Sequence, residues 1–455
     1  MQRGVEGYEH IADSKSLRAL LDGGDQAHEL FPGWGAGRLA AVADEVADAS
    51  RERGLSGTAV ALHTAYGPAW VACLIGLLAA SASPILVPAE APAPEVERRL
   101  AQAGGFAVLT GVPDGTPPAF VTTGCAPAHG TDDPPGPGPA VLIPSSGSTG
   151  EPKLVSRPEP GLLLEAYQFS TVFGAQPADR LLLPCPLAHA YGFAWILYTL
   201  ATRTRTLILP ANALTAAEDA IDGGATMIAL TASLTRLLLM RVGNSGRAPG
   251  SNSLRVFAVG AGATDAELNR TVRETFGLDP VSIYGSTETG VIAVSEPGAP
   301  AGRLGFPVPR TQWRVVGDEG VPAPAGEPGS LQVRHDAEES WFATGDLVTL
   351  TDQGLTVLGR QSDAVRRGDR WVAPLEIEGV MRAHPAVREA VVSATGPTPG
   401  RDSLIVVEVE ADPGTVPADL LRHAREHLSP YKVPNEVRIV DRLPRTWNGK
   451  VIGTQ

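Results

Sequence analysis

The sequence contains little lysine and carries an excess of acidic residues. Four of its 37 basic residues are lysines (Lys15, Lys153, Lys432 and Lys450), and 50 acidic residues give a net charge of −13. Nucleic acid is therefore not expected as the main partner, because phosphate backbones need a cationic surface. Where arginine fills most positive positions, each remaining lysine is a candidate for a role that needs a compact ammonium group.

Cysteine is equally scarce. The three cysteines stand far apart in the chain, at Cys73, Cys125 and Cys185. An odd number at such spacing indicates neither a disulfide framework nor a zinc cluster. The first sixteen residues mix acids with bases and lack an apolar stretch, so no secretory signal is expected. Together these features predict a reduced, cytoplasmic protein.

No apolar run is long enough to predict a membrane span. The most hydrophobic stretch, residues 69–87, is interrupted by Gly76, Ser81 and Ser83 and cut at Pro84. A helix that crosses a bilayer needs about 20 consecutive, predominantly apolar residues. The stretch therefore predicts a buried helix followed by a strand.

Short apolar runs alternate with helical patterns through most of the chain, which at 455 residues is long enough for two or three domains. This rhythm is typical of α/β proteins whose sheets are parallel in part. The turn-rich segment 317–330 indicates a β-rich subdomain. Beyond Arg360 the pattern becomes helix, strand, strand, helix, strand, which predicts a compact αββαβ unit of about 95 residues.

A loop rich in glycine and hydroxyl residues directly follows the predicted strand AVLIP. It reads SSGSTGEPK and spans residues 145–153. Glycines let backbone N–H groups turn toward an anion, and Lys153 adds a positive charge suited to a polyphosphate. Pro152 and Leu154 flank the lysine, so the loop is not a Walker A motif, which has glycine before its lysine and serine or threonine after it. A flexible glycine–serine linker is the alternative interpretation.

Polar residues also follow several later strands. Tyr284 leads a second loop, YGSTETG, in which Glu288 is a candidate ligand for Mg²⁺ and Tyr284 offers a flat face to a base. Asp346 is placed like a carboxylate that accepts hydrogen bonds from a ribose. Arg360 and Lys450 stand in two further polar segments. Taken singly, the YGSTETG loop is a polar turn as often as a site. The segments of Asp346 and Arg360 would more often be a turn or a surface pair, and the alternative for the Lys450 segment is a frayed tail.

In order along the chain, these segments resemble the motifs of one superfamily. The segments PSSGSTGEPK, YGSTETG, TGDL, GRQSDAVRRGDRWVAPLEIE and PRTWNGK are similar to those of adenylate-forming enzymes. That superfamily includes acyl- and aryl-CoA synthetases, adenylation domains of peptide synthetases, and luciferases. The resemblance runs from about residue 140 to the end of the sequence, and five ordered motifs make it specific.

The resemblance implies an α/β fold in two parts. A large N-terminal domain, residues 1–358, combines α/β sheets with a β-rich subdomain and binds ATP and the acid. A small mobile α+β domain, residues 359–455, carries the catalytic lysine. The implied reaction has two steps: a carboxylate attacks the α-phosphate of ATP to form acyl-AMP and pyrophosphate, and a thiol then accepts the acyl group.

The resemblance also implies roles for individual residues. The 145–153 loop would hold the pyrophosphate end of ATP, Tyr284 would stack on adenine, and Thr287 would contact the α-phosphate. Glu288 would bind Mg²⁺, and Lys450 would neutralise charge that develops at the α-phosphate, with Thr287 and His189 as further catalytic residues. The implied ATP-binding residues are Ser145, Ser146, Gly147, Ser148, Thr149, Gly150, Lys153, Tyr284, Gly285, Ser286, Thr287, Asp346, Arg360 and Lys450.

The segment PLAHAYGF, residues 186–193, resembles the stretch that borders the acid pocket of acyl- and aryl-CoA synthetases. Amino-acid-activating domains place an aspartate about where Ala190 stands, so the sequence argues against an α-amino acid. A compact apolar pocket, to which Trp195 would also contribute, suits an aryl or short acyl acid. The expected acid-binding residues are His189, Ala190, Phe193, Gly260, Gly262 and Gly285, and the alternative for His189 is an ordinary core histidine.

The identity of the acceptor stays open at this point. The chain contains no carrier domain with a phosphopantetheine serine, so the thiol is expected from CoA or from a separate acyl or aryl carrier protein. The stretch RRGDRWVAPLEIE favours CoA slightly. A non-thiol acceptor such as an amine, or a catalytically inactive nucleotide-binding homologue, is the alternative. One departure from the family concerns the expected hinge, where Ser362 replaces the usual aspartate or lysine.

Overall fold

The computed structural model describes residues 8–111, 118–122, 138–145, 153–210, 213–245, 253–317, 320–336, 338–362, 365–367, 370–372, 374–395 and 404–444. The chain forms two compact units. One contains residues 1–230, 245–258 and 285–291, and the other contains residues 231–244, 259–284 and 292–455. Within the described ranges, no helix has the combination of length and hydropathy that crossing a bilayer requires.

The N-terminal part of the first unit contains α/β structure. Its helices and strands are α1 (Glu9–Ala12), a 3₁₀ turn (Arg18–Leu21), β1 (Glu29–Phe31), β2 (Trp34–Gly35), α2 (Ala36–Glu52), β3 (Ala59–Leu62), α3 (Pro68–Ala79), β4 (Ser83–Leu86), α4 (Ala93–Gln102), β5 (Ala107–Gly111), β6 (Ala119–Thr122), β7 (Ala140–Ser145), β8 (Lys153–Pro158) and α5 (Glu159–Phe173). The run at 69–87 is thus the buried α3 followed by the buried β4, as predicted.

The first sheet has the strand order β6-β5-β3-β4-β7-β8. Its four inner strands are parallel, and an antiparallel strand closes each edge. Strands β3 and β4 are buried throughout, as expected when helices cover both faces of a parallel sheet. Parallel strands bring their carboxyl ends to one edge, where ligands of α/β sheets bind, and β7 delivers Ser145 to that edge.

The middle of the chain repeats the alternation of strands and helices. Its elements are β9 (Arg180–Leu183), α6 (Ala190–Thr202), β10 (Arg205–Ile208), α7 (Leu214–Asp222), β11 (Met227–Thr231), α8 (Ala232–Ser245), β12 (Val256–Gly260), α9 (Ala266–Phe276), β13 (Val281–Ser286) and β14 (Gly290–Val294). The strands form a sheet in the order β10-β9-β11-β12-β13-β14, in which β9 pairs in parallel with β10 and β11.

A four-stranded antiparallel sheet follows in the second unit, and it confirms the predicted β-rich subdomain. Its strands are β15 (Thr311–Val316), β16 (Pro328–His335), β17 (Phe342–Thr351) and β18 (Gly354–Arg360) in sequential order. Residues of β16 alternate between buried and half-buried, so one face of the strand packs on a core that includes Leu331 and Val333. The register places Asp346 directly opposite Arg360.

The C-terminal segment has the predicted αββαβ order. A short pair, β19 (Val365–Arg367) and β20 (Arg370–Val372), precedes α10 (Pro374–Arg382), β21 (Val387–Thr395), β22 (Leu404–Ala411), α11 (Pro417–His427), a 3₁₀ turn (Pro430–Lys432) and β23 (Glu436–Val440). Strand β22 pairs antiparallel with β21 and parallel with β23. Apolar residues of α10, α11 and the sheet share one core, which includes Ile377, Val407 and Leu420. The mixed α/β architecture agrees with the expected fold class.

Candidate functional site

A tight turn at residues 286–290 presents two of the expected site residues. Strand β13 ends at Ser286 and β14 begins at Gly290, so Thr287 and Glu288 lie on the turn itself. Ser286 Oγ accepts a hydrogen bond from the backbone N–H of Thr289 at 3.1 Å and also lies 3.0 Å from Thr289 Oγ1. Glu288 is exposed and Thr287 is half-buried, which leaves both side chains accessible to a ligand.

Glycine is required at one side of this turn by close packing. A Cβ atom on Gly285 would lie 2.3 Å from the carbonyl oxygen of Gly290 and 3.0 Å from Val291 Cα. Both are backbone atoms, which cannot move aside without opening the turn. The glycine at position 285 of the YGSTETG motif is therefore required for steric reasons.

Two buried residues that no sequence motif indicated anchor the turn. The guanidinium of Arg157, on β8, donates to the carbonyl oxygen of Thr287 at 3.0 Å. The carboxylate of Glu165, on α5, accepts from the backbone N–H of Val291 at 3.1 Å. A single acid within the apolar helical run LLLEAY was the one available signal for Glu165, because an isolated charge on a buried helix face needs a partner.

The described ends of the proposed polyphosphate loop are Ser145 and Lys153. These residues pair across the antiparallel β7–β8 ladder, and the exposed Lys153 extends from the first residue of β8. Ser145 Oγ lies 3.4 Å from the carbonyl oxygen of Lys153. The remaining predicted loop residues (Ser146, Gly147, Ser148, Thr149 and Gly150) lie outside the described residues.

In the second unit, three predicted nucleotide-binding residues lie together. The hydroxyl of Tyr284 donates to Asp346 Oδ2 at 2.5 Å, and Arg360 Nε lies 3.2 Å from Asp346 Oδ1. Arg360 also donates to the carbonyl oxygen of Thr344 at 2.8 Å, and the backbone N–H of Asp346 donates to Thr344 Oγ1 at 3.1 Å. Asp346 is 7% exposed, and its carboxylate is held in place by residues of two other strands, Tyr284 on β13 and Arg360 on β18.

The ionisation of this cluster follows from its burial. Burial and the neighbouring Asp346 carboxylate raise the pKa of the Tyr284 hydroxyl well above its usual range. Tyr284 therefore stays protonated at neutral pH and donates to the carboxylate. Arg360 ends β18 and is half exposed, whereas its partner Asp346 is buried in the middle of β17.

His189 begins helix α6 as its N-cap residue. Its Nδ1 atom accepts a hydrogen bond from the backbone N–H of Tyr191 at 3.3 Å. Burial lowers the pKa of His189 to about 4, so the imidazole is neutral at physiological pH. The neighbouring Ala190 adds no charge, and Phe193, one turn later, is 1% exposed.

Trp195 lies in an aromatic core cluster. Its ring packs edge-on against Phe169 and Tyr198 and tilts against Phe173, with centroid distances of 4.9 to 5.4 Å. These contacts account for the burial of the ring. The predicted contribution of Trp195 to an acid pocket stays a prediction.

The small-residue run at 260–263 follows β12 in the second unit. Gly260 ends the strand, Ala261 adopts a positive φ of 52°, and Gly262 is exposed. A Cβ atom on Gly262 would lie 3.2 Å from Ala232 Cβ, which is tight. Small residues thus suit this connection sterically, and the assignment of Gly260 and Gly262 to the acid pocket stays a prediction.

The two remaining predicted residues belong to the C-terminal motifs. Ser362 is exposed and stands two residues beyond the end of β18. Lys450 lies outside the described residues. In the parts of the chain that the structure describes, no group of three or more histidine, cysteine, aspartate or glutamate side chains is arranged to hold a metal ion.

Comparison with family models gives two consecutive matches. Residues 36–337 match the family described as AMP-binding enzyme, and residues 376–450 match the AMP-binding enzyme C-terminal domain. Together they include the 286–290 turn, His189 and the position of Lys450. The first match alone spans more than half of the chain.

Curated relatives and solved structures agree with these matches. The chain is 28% identical to the sulfoacetate–CoA ligase of Cupriavidus necator over 338 residues, which cover 69% of this chain and 65% of that protein. It is 28% identical to the indoleacetate–CoA ligase of Aromatoleum aromaticum over 343 residues, covering 69% and 66%. Just under two thirds of each relative's own length is thus aligned. A solved anthranilate CoA ligase with bound anthranoyl-AMP has the same fold, with a TM-score of 0.80, 21% identity and 97% coverage of both chains.

Proposed function

The chain belongs to the AMP-binding enzyme family of the adenylate-forming superfamily, and we propose that it joins a carboxylic acid to AMP and then transfers the acyl group to a thiol. In the first step a carboxylate oxygen attacks the α-phosphorus of ATP, and the bond to pyrophosphate breaks. The observation that carries the proposal is the Tyr284–Asp346–Arg360 cluster, which pairs a fixed, buried carboxylate with a half-exposed guanidinium at the end of β18.

This cluster suits the nucleoside part of ATP. A carboxylate accepts hydrogen bonds from ribose hydroxyls, as in dinucleotide-binding folds. Asp346 is held by Tyr284 and Arg360, so it need not be ordered when the ribose arrives. The face of Tyr284 is the proposed contact for adenine, because aromatic rings pack well against the flat face of a base.

The 286–290 turn suits the phosphates and the metal. Glu288 is the proposed ligand for Mg²⁺, which proteins usually bind through one or two carboxylates together with phosphate oxygens. One exposed carboxylate on a turn fits that donor set. Bound Mg²⁺ would neutralise phosphate charge, while the Thr287 hydroxyl would donate to the α-phosphate and Lys153 would attract the pyrophosphate end.

The acid is proposed to be an aryl or short acyl carboxylic acid. Neutral His189 and Ala190 supply no carboxylate to pair with an α-ammonium group, which argues against α-amino acids. The ligases of sulfoacetate and indoleacetate among the relatives act on acids without that group, as their names say. Both relatives are named CoA ligases, which favours CoA over a carrier protein as the acceptor, with the phosphopantetheine of a carrier as the alternative.

Lys450 is proposed to act in the formation of acyl-AMP, and Ser362 is proposed as the hinge for the rotation that precedes transfer to the thiol. A lysine that neutralises charge developing in the transition state typically contributes on the order of 2.7–4 kcal/mol, or about 100- to 1,000-fold in rate. The same space must then admit a thiol, so residues 359–455 are proposed to rotate about a hinge at Ser362. Residues 1–358 are proposed as the part that keeps ATP and the acid in place.

Pyrophosphate release with a panel of aryl, short acyl and amino acids tests the proposal, with mass spectrometry of the CoA product as the second readout. We expect release with at least one aryl or short acyl acid, none with amino acids, and a CoA thioester. Lys450→Ala should lower release about 100- to 1,000-fold without changing the circular dichroism spectrum.

Two results would contradict the proposal. No pyrophosphate release with any acid would favour a binding protein that keeps the fold without catalysis. Acyl-AMP that reacts with an amine and with neither CoA nor a carrier protein would replace the thiol acceptor with a different one.

A further inference from the structure

Two opposite charges lie buried against the 286–290 turn, although neither is among the residues assigned to ATP or the acid. Arg157 and Glu165 are each 5% exposed, and Arg157 Nη2 lies 3.1 Å from Glu165 Oε2. Moving two charges out of water is unfavourable, and their attraction compensates only when further hydrogen bonds satisfy both groups. The partners of these further bonds therefore indicate what the pair does.

Both groups bond to the backbone of the turn. Arg157 Nη1 donates to the carbonyl oxygen of Thr287 at 3.0 Å, and Glu165 Oε1 accepts from the N–H of Val291 at 3.1 Å. These two backbone groups stand on either side of Glu288 in the chain. The planar guanidinium can reach the carboxylate and the carbonyl oxygen together because its nitrogens form a rigid fork.

The turn fits so closely on the pair that a side chain at position 290 would displace it. Gly290 has a φ of 75°, and a Cβ atom there would lie 2.8 Å from Glu165 Cδ and 2.9 Å from Arg157 Nη2. The turn thus cannot move toward the pair. The two hydrogen bonds also prevent it from moving away, so the ion pair fixes the backbone on both sides of Glu288.

We propose that Arg157 and Glu165 are positioning residues that hold the turn in the geometry from which Thr287 and Glu288 reach the phosphates and the metal of ATP. The inference rests on the proposed function for the identity of that ligand. It adds a buried determinant of Mg·ATP use that touches neither ATP nor the acid.

The first unit offers a matched control. Asp179 is 4% exposed and pairs with Arg255, whose Nη2 lies 2.5 Å from Asp179 Oδ2. It immediately precedes β9, at the amino end of the strand, whereas His189 follows the carboxyl end. Asp179→Asn therefore neutralises a buried, arginine-paired carboxylate as Glu165→Gln does, but at the amino end of β9.

The experiment compares Glu165→Gln, the double variant Arg157→Met/Glu165→Leu, and Asp179→Asn. For the two variants in which Glu165 is replaced, we expect kcat/KM for Mg·ATP to fall at least tenfold and the Mg²⁺ concentration at half-maximal rate to rise. The KM of the acid should change less than threefold. Amide hydrogen exchange in the peptide covering 285–294 should accelerate at least tenfold. The double variant leaves no unpaired buried charge, so its thermal stability should exceed that of Glu165→Gln while its Mg·ATP defect persists.

Asp179→Asn should lower thermal stability and leave Mg·ATP kinetics and the exchange of 285–294 within twofold of the parent. Equal kinetic and exchange defects in Asp179→Asn would overturn the inference, because they would reflect general destabilisation. Parent-like Mg·ATP kinetics and amide hydrogen exchange in the two variants that replace Glu165 would overturn it as well. If the parent protein releases no pyrophosphate with any acid, the proposed function fails, and the exchange rates still decide whether the pair fixes the turn.

Discussion

Lowering the pH from 7.5 to 5 should destabilise the protein through His189. In the folded protein the Nδ1 atom of this residue accepts the hydrogen bond that caps α6. Protonation would turn both ring nitrogens into donors, so that bond would be lost. It would also place a cation at the positive end of the helix dipole. The imidazole of His189 is therefore harder to protonate in the folded protein than in the unfolded chain.

The size of the effect follows from the two pKa values. Burial lowers the pKa of His189 from 6.5 to about 4 in the folded protein. As the pH falls, the unfolded chain binds the proton first, so stability is fully present above pH 6.5 and is lost progressively down to about pH 4. At pH 5 the loss from this single group is up to about 2 kcal/mol of unfolding free energy.

His189→Asn isolates this contribution. The amide oxygen of asparagine can also cap a helix, and the side chain does not titrate. Urea unfolding of parent and variant, monitored by tryptophan fluorescence at pH 7.5 and pH 5, gives the difference in pH dependence. Carboxylates that titrate over this range contribute equally to both proteins, so they cancel in the comparison. We expect the parent to lose up to about 2 kcal/mol more than the variant.

A direct titration provides the second test. The protein contains nine histidines, and the resonance missing from His189→Asn identifies His189 in ¹H–¹³C spectra of histidine-labelled protein. Its chemical shift should stay constant from pH 7.5 to 5.5. A midpoint near 6.5, or parallel loss of stability in parent and variant, would refute the buried neutral state of His189.

Two further predictions concern the nucleotide and the hinge. Tyr284→Phe removes the hydroxyl that donates to the buried Asp346, so the unfolding free energy should fall by about 1.5–3 kcal/mol and the Kd for ATP should rise, as measured by urea unfolding and calorimetry. An unchanged Kd would mean that Asp346 does not contact the nucleotide. Ser362→Pro fixes φ and removes an N–H at the proposed hinge, so acyl transfer from preformed acyl-AMP should slow at least tenfold more than pyrophosphate release. Equal slowing of both steps would place the hinge elsewhere.

The sequence was sufficient to predict the alternation of strands and helices, because apolar runs and turn residues record it locally. The buried α3 and β4, the β-rich sheet and the C-terminal αββαβ order all follow from such patterns. The family resemblance added the residues that are expected to contact a nucleotide. Of these, the structure brings Tyr284, Asp346 and Arg360 into one hydrogen-bonded cluster.

The anchors of the site could not be predicted in the same way. Arg157 and Glu165 contact residues that are 130 and 126 positions away in the chain, and a single sequence contains no information on such pairings. Trp195 illustrates the converse problem. Apolar aromatic residues near a site motif suggest a ligand pocket, but burial in a core produces the same pattern. The sequence therefore does not distinguish the two roles for Trp195, which packs against Phe169 and Phe173.

Exposed and buried polar residues have different roles at the 286–290 turn. Thr287 and Glu288 are accessible, and their positions depend on Arg157 and Glu165, which are inaccessible. Exchanging an accessible residue alters contacts with a ligand and leaves few buried groups unsatisfied, so it should change activity more than stability. Exchanging one buried partner leaves an uncompensated charge, so it should change both. A substitution that lowers activity but not stability therefore indicates a residue that contacts ATP. A substitution that lowers both does not distinguish a ligand contact from a structural role. Removing both charges of the pair at once, beside the control variant Asp179→Asn, resolves that ambiguity.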